Sequence, residues 1–202
     1  MEESKILQLV NPYKKANTYI IDVGNSEVVI VDLGNYSISE LVKWLNNNNK
    51  TLIGLILTHE HSDPCYGVDN LRADLAFTLY CSKNCEINIR DPKQNLSRYI
   101  EEFEIFDVHT EATILSDGQT ISFNDIEITI IETPGHSPGS ICLLSDGVIF
   151  TGDTFLNNVK TPLCFPHSSK KKFQESEKKI LKILTTNTKI FPGHGEPFYL
   201  NL

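Results

Sequence analysis

The sequence predicts an α+β fold in which two β-sheets pack face to face, with helices on the outside. Three observations support this reading. Short runs rich in Ile, Val and Tyr recur along the chain and are separated by turn signals. Each half of the chain is a group of such strands followed by a helix and a further strand. The 202 residues, 40% of them hydrophobic, suffice for one domain over residues 1–202 with an ordinary core.

Taken in order, Ile6 to Val10 reads as an edge strand. Asn17 to Val23 and Glu27 to Leu33 form a hairpin around Gly24-Asn25-Ser26. Ser37 or Ser39 caps a helix through Glu40, Leu41, Val42, Trp44 and Leu45, which the asparagines Asn46 to Asn49 stop. Lys50 to Leu57 is the next strand. A helix starts at Gly67 to Leu71, Ala76 to Cys81 is a strand, and Ser82 to Ile89 is a short helix. Asp91 to Leu96, with its Pro and Asn, is a loop. Glu101 to Phe106 fits a helix or an extended segment equally well. The second half opens with strands at Ala112 to Leu115, Gln119 to Phe123 and Ile126 to Ile131. A hairpin follows, Ile141 to Leu144 and Val148 to Thr151. Lys170 to Leu184 is an amphipathic helix capped by Ser168 or Ser169. Lys189 to Phe191 is the last strand. No solenoid-period repeat is present.

Charge narrows the function classes. The net charge is −8 and the pI about 5.2, whereas phosphate backbones need a basic face, so no nucleic-acid partner is expected. The polar start Met1 to Lys5 has no apolar run behind it, and no apolar stretch is long enough to span a bilayer. No signal peptide and no membrane association are expected. The five cysteines, Cys65, Cys81, Cys85, Cys142 and Cys164, are odd in number, which fits reduced thiols in the cytoplasm. Cys81 and Cys85 read as buried thiols rather than metal ligands. The expected partner is a small molecule, and nothing in the sequence sets the oligomeric state.

The chemistry concentrates after apolar runs. Leu52 to Leu57 stops at His59, His61 and Asp63, which occupy alternate positions. In an extended segment alternate side chains point the same way, so both imidazoles and the carboxylate would share a face. These are donors that suit zinc or iron. The plain alternative is a polar turn after a core strand. His136 lies in Thr133-Pro134-Gly135-His136-Ser137-Pro138-Gly139-Ser140, Asp153 in Thr151-Gly152-Asp153-Thr154, and His194 in Pro192-Gly193-His194-Gly195. So many sharp loops that each end in His or Asp make a joint metal site the better reading. His109 and His167 lack this punctuation and read as surface residues. Asp22 and Asp32 read as structural acids at strand ends.

Together, Thr58-His59-x-His61-x-Asp63, Pro134-Gly135-His136, Gly152-Asp153-Thr154 and Pro192-Gly193-His194-Gly195 resemble the metallo-β-lactamase-fold hydrolase superfamily, most of all its short glyoxalase II-like members. Asn17-Thr18-Tyr19 and Val31-Asp32-Leu33-Gly34 match its opening strands. The resemblance implies a four-layer αββα sandwich with metals in a groove at one edge. It implies that His59, His61 and His136 hold a first metal, that Asp153 bridges, and that Asp63 and His194 serve a second. The family often uses an early acid to brace the ligand loops. The family places a further histidine ligand directly after the aspartate, whereas this chain has Pro64, so the second site is expected to be weak. Cys65 is the nearest alternative donor, shifted by one residue.

A metal held by three imidazoles and a carboxylate keeps room for water and lowers the water pKa to roughly 7. Asp63, partly released from metal duty, would be catalytic by orienting that water or taking its proton. The reading is a metal-dependent, glyoxalase II-like hydrolase of a small acyl or thioester substrate, with zinc first and iron second. The rivals are a mononuclear iron persulfide dioxygenase and a non-catalytic metal-binding member of the fold. Lys160 and Arg98-Tyr99 are candidates to line the groove. Ending at Leu202, the chain is not expected to carry the helical domain with which glyoxalase II enzymes bind glutathione.

Overall fold

In the computed structural model, which describes residues 1–35, 37–101 and 104–200, the apolar runs form two six-stranded sheets. The first holds β1 (Ile6–Val10), β2 (Asn17–Gly24), β3 (Glu27–Val31), β4 (Thr51–Ile56), β5 (Thr78–Ser82) and β6 (Ala112–Leu115), side by side in chain order. The second holds β7 (Thr120–Phe123), β8 (Ile126–Glu132), β9 (Ile141–Ser145), β10 (Val148–Gly152), β11 (Lys189–Pro192) and β12 (Phe198–Tyr199), again in chain order across the sheet. Strands β1 to β3 are antiparallel, and β3 to β6 run parallel. In the second sheet only β10 and β11 are parallel.

Parallel neighbours need long crossovers, and the helices sit there. They are α1 (Ile38–Asn47) between β3 and β4, α2 (Ser62–Cys65) and α3 (Val68–Asp74) between β4 and β5, α4 (Lys83–Asn88) after β5, and α5 (Lys170–Leu181) between β10 and β11. Serine starts three of them. The side chains of Ser37, Ser82 and Ser169 accept from the amides of Glu40, Cys85 and Lys172 at 3.4, 3.2 and 3.4 Å, which satisfies an amide that the first turn leaves unpaired. The β2–β3 hairpin turns on Asn25 and Ser26, both left-handed with φ of 52° and 62°, as a two-residue turn matched to strand twist demands.

Burial follows the two-residue period. Ile20, Val28 and Ile30 face the outer helices beside Leu41, Leu45, Val68, Leu71 and Cys85. Tyr19, Ile21, Val29 and Val31 face the second sheet and meet Ile128, Ile130, Leu143 and Phe150. A third cluster joins that sheet to α5 through Cys142, Ile149, Ile180 and Leu184. The order is helix, sheet, sheet, helix. Because each sheet is covered on both faces, its central strands read as continuous apolar runs.

The structure corrects several local expectations. Ala112–Leu115 does not join the second-half strands but pairs in parallel with β5 and closes the first sheet. Its partner lies some thirty residues upstream, and no local pattern encodes such a pairing. The stretch from His59 to Asp63 is not extended. The chain bends after Thr58 and enters α2 at Ser62, with Pro64 inside that short helix. Proline is tolerated in a first turn because the missing amide has no partner there. The Pro64 carbonyl accepts from Leu33 and Gly34 amides at 3.1 and 3.3 Å, and this holds the turn against the end of β3. The expected helix to Leu184 ends at Leu181, and α2 and β12 were not foreseen. Of the ambiguous stretch 101–106, residues 102 and 103 lie outside the described residues, and residues 104–106 form no regular element.

Candidate metal centre

Four loops meet at one end of the sandwich. Residues 59–63 follow β4, His136 follows β8, Asp153 follows β10 and His194 follows β11. The ligand atoms of His59, His61 and His136 all lie within 4.8 Å of one another, and those of Asp63, Asp153 and His194 form a second group at the same limit. His61 Nδ1 stands 3.0 Å from His136 Nε2. His136 Nε2 is 3.4 Å from Asp153 Oδ2, and His194 Nε2 is 3.0 Å from Asp63 Oδ2 and 3.6 Å from Asp153 Oδ1. Asp153 therefore touches both groups. All six side chains are buried apart from His194, which is about a quarter exposed.

The hydrogen bonds set the tautomers. His136 Nδ1 donates to the Pro162 carbonyl at 2.9 Å, and His194 Nδ1 to the Lys14 carbonyl at 3.1 Å. A carbonyl only accepts, so in each neutral ring the Nε2 lone pair faces inward. Thr58 Oγ1 donates to Asp32 Oδ2 at 2.7 Å and lies 3.0 Å from His59 Nδ1. Its single proton is spent on Asp32, so it accepts from His59 Nδ1. That leaves His59 Nε2 as a bare lone pair, buried with no hydrogen-bond partner, and Asp153 Oδ1 is likewise unpartnered. Orphaned buried acceptors are costly, and a cation would satisfy both. The donor set fits a metal ion.

Burial pushes the imidazoles of His59 and His61 below their ordinary range, and for His61 the neighbouring imidazoles add to it. Both rings are thus neutral and ready to donate at neutral pH. Burial is the largest single influence on Asp63 and opposes its ionisation, but the hydrogen bond from His194 and the electrostatic attraction of His59, His194 and His61 together outweigh it and hold the carboxyl well below the usual range. Burial would lower His194, yet that same bond and the Asp153 charge raise it to about 9. In metal-free protein, His194 is therefore expected to stay protonated well above neutrality. A raised folded pKa means that its stabilising contribution is complete below the ordinary 6.5 and fades as pH rises through about 9. Ring-proton NMR on chelator-treated protein checks this, and a midpoint near 6.5 would contradict the ion pair.

Asp32 braces the centre from behind. Its buried carboxylate accepts from the Thr58 amide at 2.8 Å and from Thr58 Oγ1 at 2.7 Å, and burial raises its pKa to about 7. Asp22 does not share this role, since it pairs with Lys50 at 2.5 Å. Gly193 is needed for a close approach, because a Cβ there would overlap the Asp153 carboxylate. Cys65 joins neither donor group. It is fully buried, its thiol points to the His59 carbonyl at 3.6 Å, and burial pushes its pKa well up.

Above the donors opens a groove of about 410 Å³, lined by Lys14, Leu96, Leu156, Val159, Lys160, Pro162 and Phe165 beside His61, Asp63, Asp153 and His194. Lys160 takes the place that its sequence position suggested, whereas Leu96 lines this wall in place of Arg98 and Tyr99. His109 and His167 are exposed. Sequence reasoning missed Lys14, Phe165 and Glu60. Phe165 packs on the His61 ring with centroids 4.9 Å apart. Its flanking prolines were a usable loop signal, but nothing local tied that loop to the histidines.

The family model for the metallo-beta-lactamase superfamily matches residues 13–194. The chain belongs to that superfamily. Several relatives of this chain carry hydrolase names. A "Probable metallo-hydrolase" of Streptococcus pyogenes is 26% identical over 196 residues, covering 95% of this chain and 84% of the relative. A "Probable polyketide biosynthesis zinc-dependent hydrolase" of Bacillus subtilis is 27% identical over 88% of this chain and 72% of its own. A hydroxyacylglutathione hydrolase of Pseudoalteromonas translucida is 29% identical over 66% of this chain and 43% of its own. Among solved structures, the BLEG-1 B3 metallo-beta-lactamase superposes with a TM-score of 0.88 at 23% identity, over 96% of this chain and 93% of that one. TTHA1623 in a di-iron-bound form gives 0.83 at 20% identity, over 96% and 94%. At these identities the superpositions bear on the fold alone.

Proposed function

We propose that the protein is a metal-dependent hydrolase of small acyl compounds, thioesters first, in which His59, His61 and His136 hold one firmly bound ion. One observation carries this most directly. The unpartnered, buried Nε2 of His59 is grouped with His136 and with His61, and His61 lines a groove that admits a small molecule. When bound, the metal supplies an activated water near neutral pH and polarises an acyl oxygen.

The chain's own residues do the rest. Asp63, ionised and lining the groove, accepts a hydrogen bond from the attacking water and so orients it, and His194 holds that carboxylate in place through the 3.0 Å bond. Leu96, Leu156, Val159 and Phe165 take the apolar part of the acyl group and thin the water around it. Lys14 and Lys160 flank the opening, so a substrate with a negative group away from the reacting carbonyl is favoured.

Zinc is the first choice of ion, supported by the imidazole-rich donor set and by the zinc-dependent relative. Iron comes second, with the di-iron form of a structural neighbour beside it. Among the described residues no helix is long and apolar enough to cross a membrane. All five cysteines are free, which supports a cytoplasmic setting.

A substrate panel on the metal-loaded protein tests the reading. Turnover of S-lactoylglutathione and simpler thioesters is expected to exceed that of lactams and of long nucleic acids. Oxygen uptake with glutathione persulfide, and no thioester turnover, would assign the site to a persulfide dioxygenase instead. Purified protein without metal or turnover would leave a non-catalytic member of the fold.

A further inference from the structure

The two sheets supply different ligands: His59 and His61 come from the first, His136 from the second. Something must hold the two loops in register, and one side chain spans them. Glu60 lies between the two histidines, is 1% exposed, and belongs to neither donor group. Its Oε2 accepts from Ser137 Oγ at 2.7 Å and from the Gly139 amide at 3.1 Å. Its Oε1 accepts from Asn88 Nδ2 at 2.8 Å and from the Gly139 amide at 3.2 Å. Asn88, Ser137 and Gly139, which donate to this carboxylate, are neutral groups, and they come from α4 and from the loop that carries His136.

A buried carboxylate is expensive to hold in place of an apolar side chain, even when it is hydrogen-bonded. Stability alone does not explain this one, yet the surroundings are shaped to receive it. A Cβ at position 139 would overlap both Glu60 Oε2 and the Cys85 backbone, so only glycine brings that amide close enough. Ser137 is adjacent to His136, and its hydroxyl also lies 2.9 Å from Ser140 Oγ. The next residue, Ile141, donates its amide to the Thr58 carbonyl at 2.8 Å. Ser82 Oγ ties the Gly139 carbonyl to the head of α4 at 2.7 Å.

We infer that Glu60 is a positioning residue for the first metal: its carboxylate clamps Ser137 and Gly139 and so fixes His136 opposite His59 and His61. This rests on reading those three histidines as ligands. Residues that orient ligands from behind commonly cost about tenfold to a hundredfold in metal affinity when removed.

Zinc affinity, measured by competition with a chromophoric chelator, tests the clamp together with the visible spectrum of cobalt-substituted protein. Glu60→Gln keeps the size but turns an amide NH2 toward groups that are themselves donors. It is expected to lose about tenfold to a hundredfold in zinc affinity and to alter the cobalt bands. Ser137→Ala removes one of the clamp's bonds and is expected to weaken zinc several-fold in the parent but not further in Glu60→Gln. Should Glu60→Gln fail to fold, Ser137→Ala alone decides, and unchanged affinity and cobalt bands overturn the clamp. His136→Ala separates the two ideas. If it retains zinc, the ligand reading is wrong and the clamp with it. If it loses zinc while Glu60→Gln binds as the parent does, only the clamp is overturned.

Discussion

Alanine in place of His61 or His136 is expected to reduce bound metal from near one equivalent per chain to a small fraction. Both rings are buried, and their inward nitrogens stand 3.0 Å apart. Structural zinc sites in small peptides bind with on the order of 10–16 kcal/mol. Shared among the three histidines and Asp153, that leaves about 3 kcal/mol per donor, or roughly a hundredfold in affinity. The loss extends to stability, since an ion that binds only the folded chain raises its melting temperature. Either variant should therefore melt close to metal-free protein, with or without added zinc. Plasma emission on dialysed protein gives the metal content. His109→Ala, at an exposed imidazole outside both donor groups, is the control and should bind as the parent does. Variants of His61 or His136 that retained a full equivalent would remove both residues from the ligand set.

Pro64→His is expected to raise the stoichiometry from near one metal toward two, whatever it does to the rate. In the parent the second group offers Asp63, the shared Asp153 and His194, fewer donors than a closed four-coordinate site needs. His194 must also give up a proton that it holds to about pH 9. At pH 7 that adds about 3 kcal/mol to binding there, at 1.36 kcal/mol per pH unit. Pro64 lines the small cavity shared by Asp32, His59, Asp63, Asp153 and His194, so an imidazole in its place would be delivered to the second group. The exchange should leave the fold intact, because an amide in the first turn of α2 needs no partner. It gives up only about 0.4–1 kcal/mol of proline's restriction of the unfolded chain. Second-equivalent affinity should rise by about a hundredfold or more, as for the loss of one donor in the first site. A titration in which the parent binds two equivalents equally tightly would overturn this account. Cys65 could not then be the missing donor without a rearrangement, since its thiol is packed against the His59 carbonyl.

The sequence by itself determined most of the strands, the three serine-capped helices and the six side chains that the structure gathers into two groups. Each of those signals is local. Period-two burial, a serine three residues before an amide, and Pro-Gly turns after apolar runs all act over a few residues. Their grouping was also legible, but only through resemblance: spacing alone suggested that His59, His61 and Asp63 share one face. The tertiary structure decided otherwise. Because α2 begins at Ser62 and is held to the end of β3 by the Pro64 carbonyl, Asp63 turns away from the two imidazoles and joins His194. The pairing of β6 with β5 was equally beyond local reading, since it joins strands some thirty residues apart. Glu60 shows the same limit. No local signal marks it, and it belongs to neither donor group. Only the packing of one sheet's loop on the other's places Ser137 and Gly139 where that carboxylate ends. A chain carries its donors in its sequence, but the distance between donors on different sheets exists only once the sheets have packed.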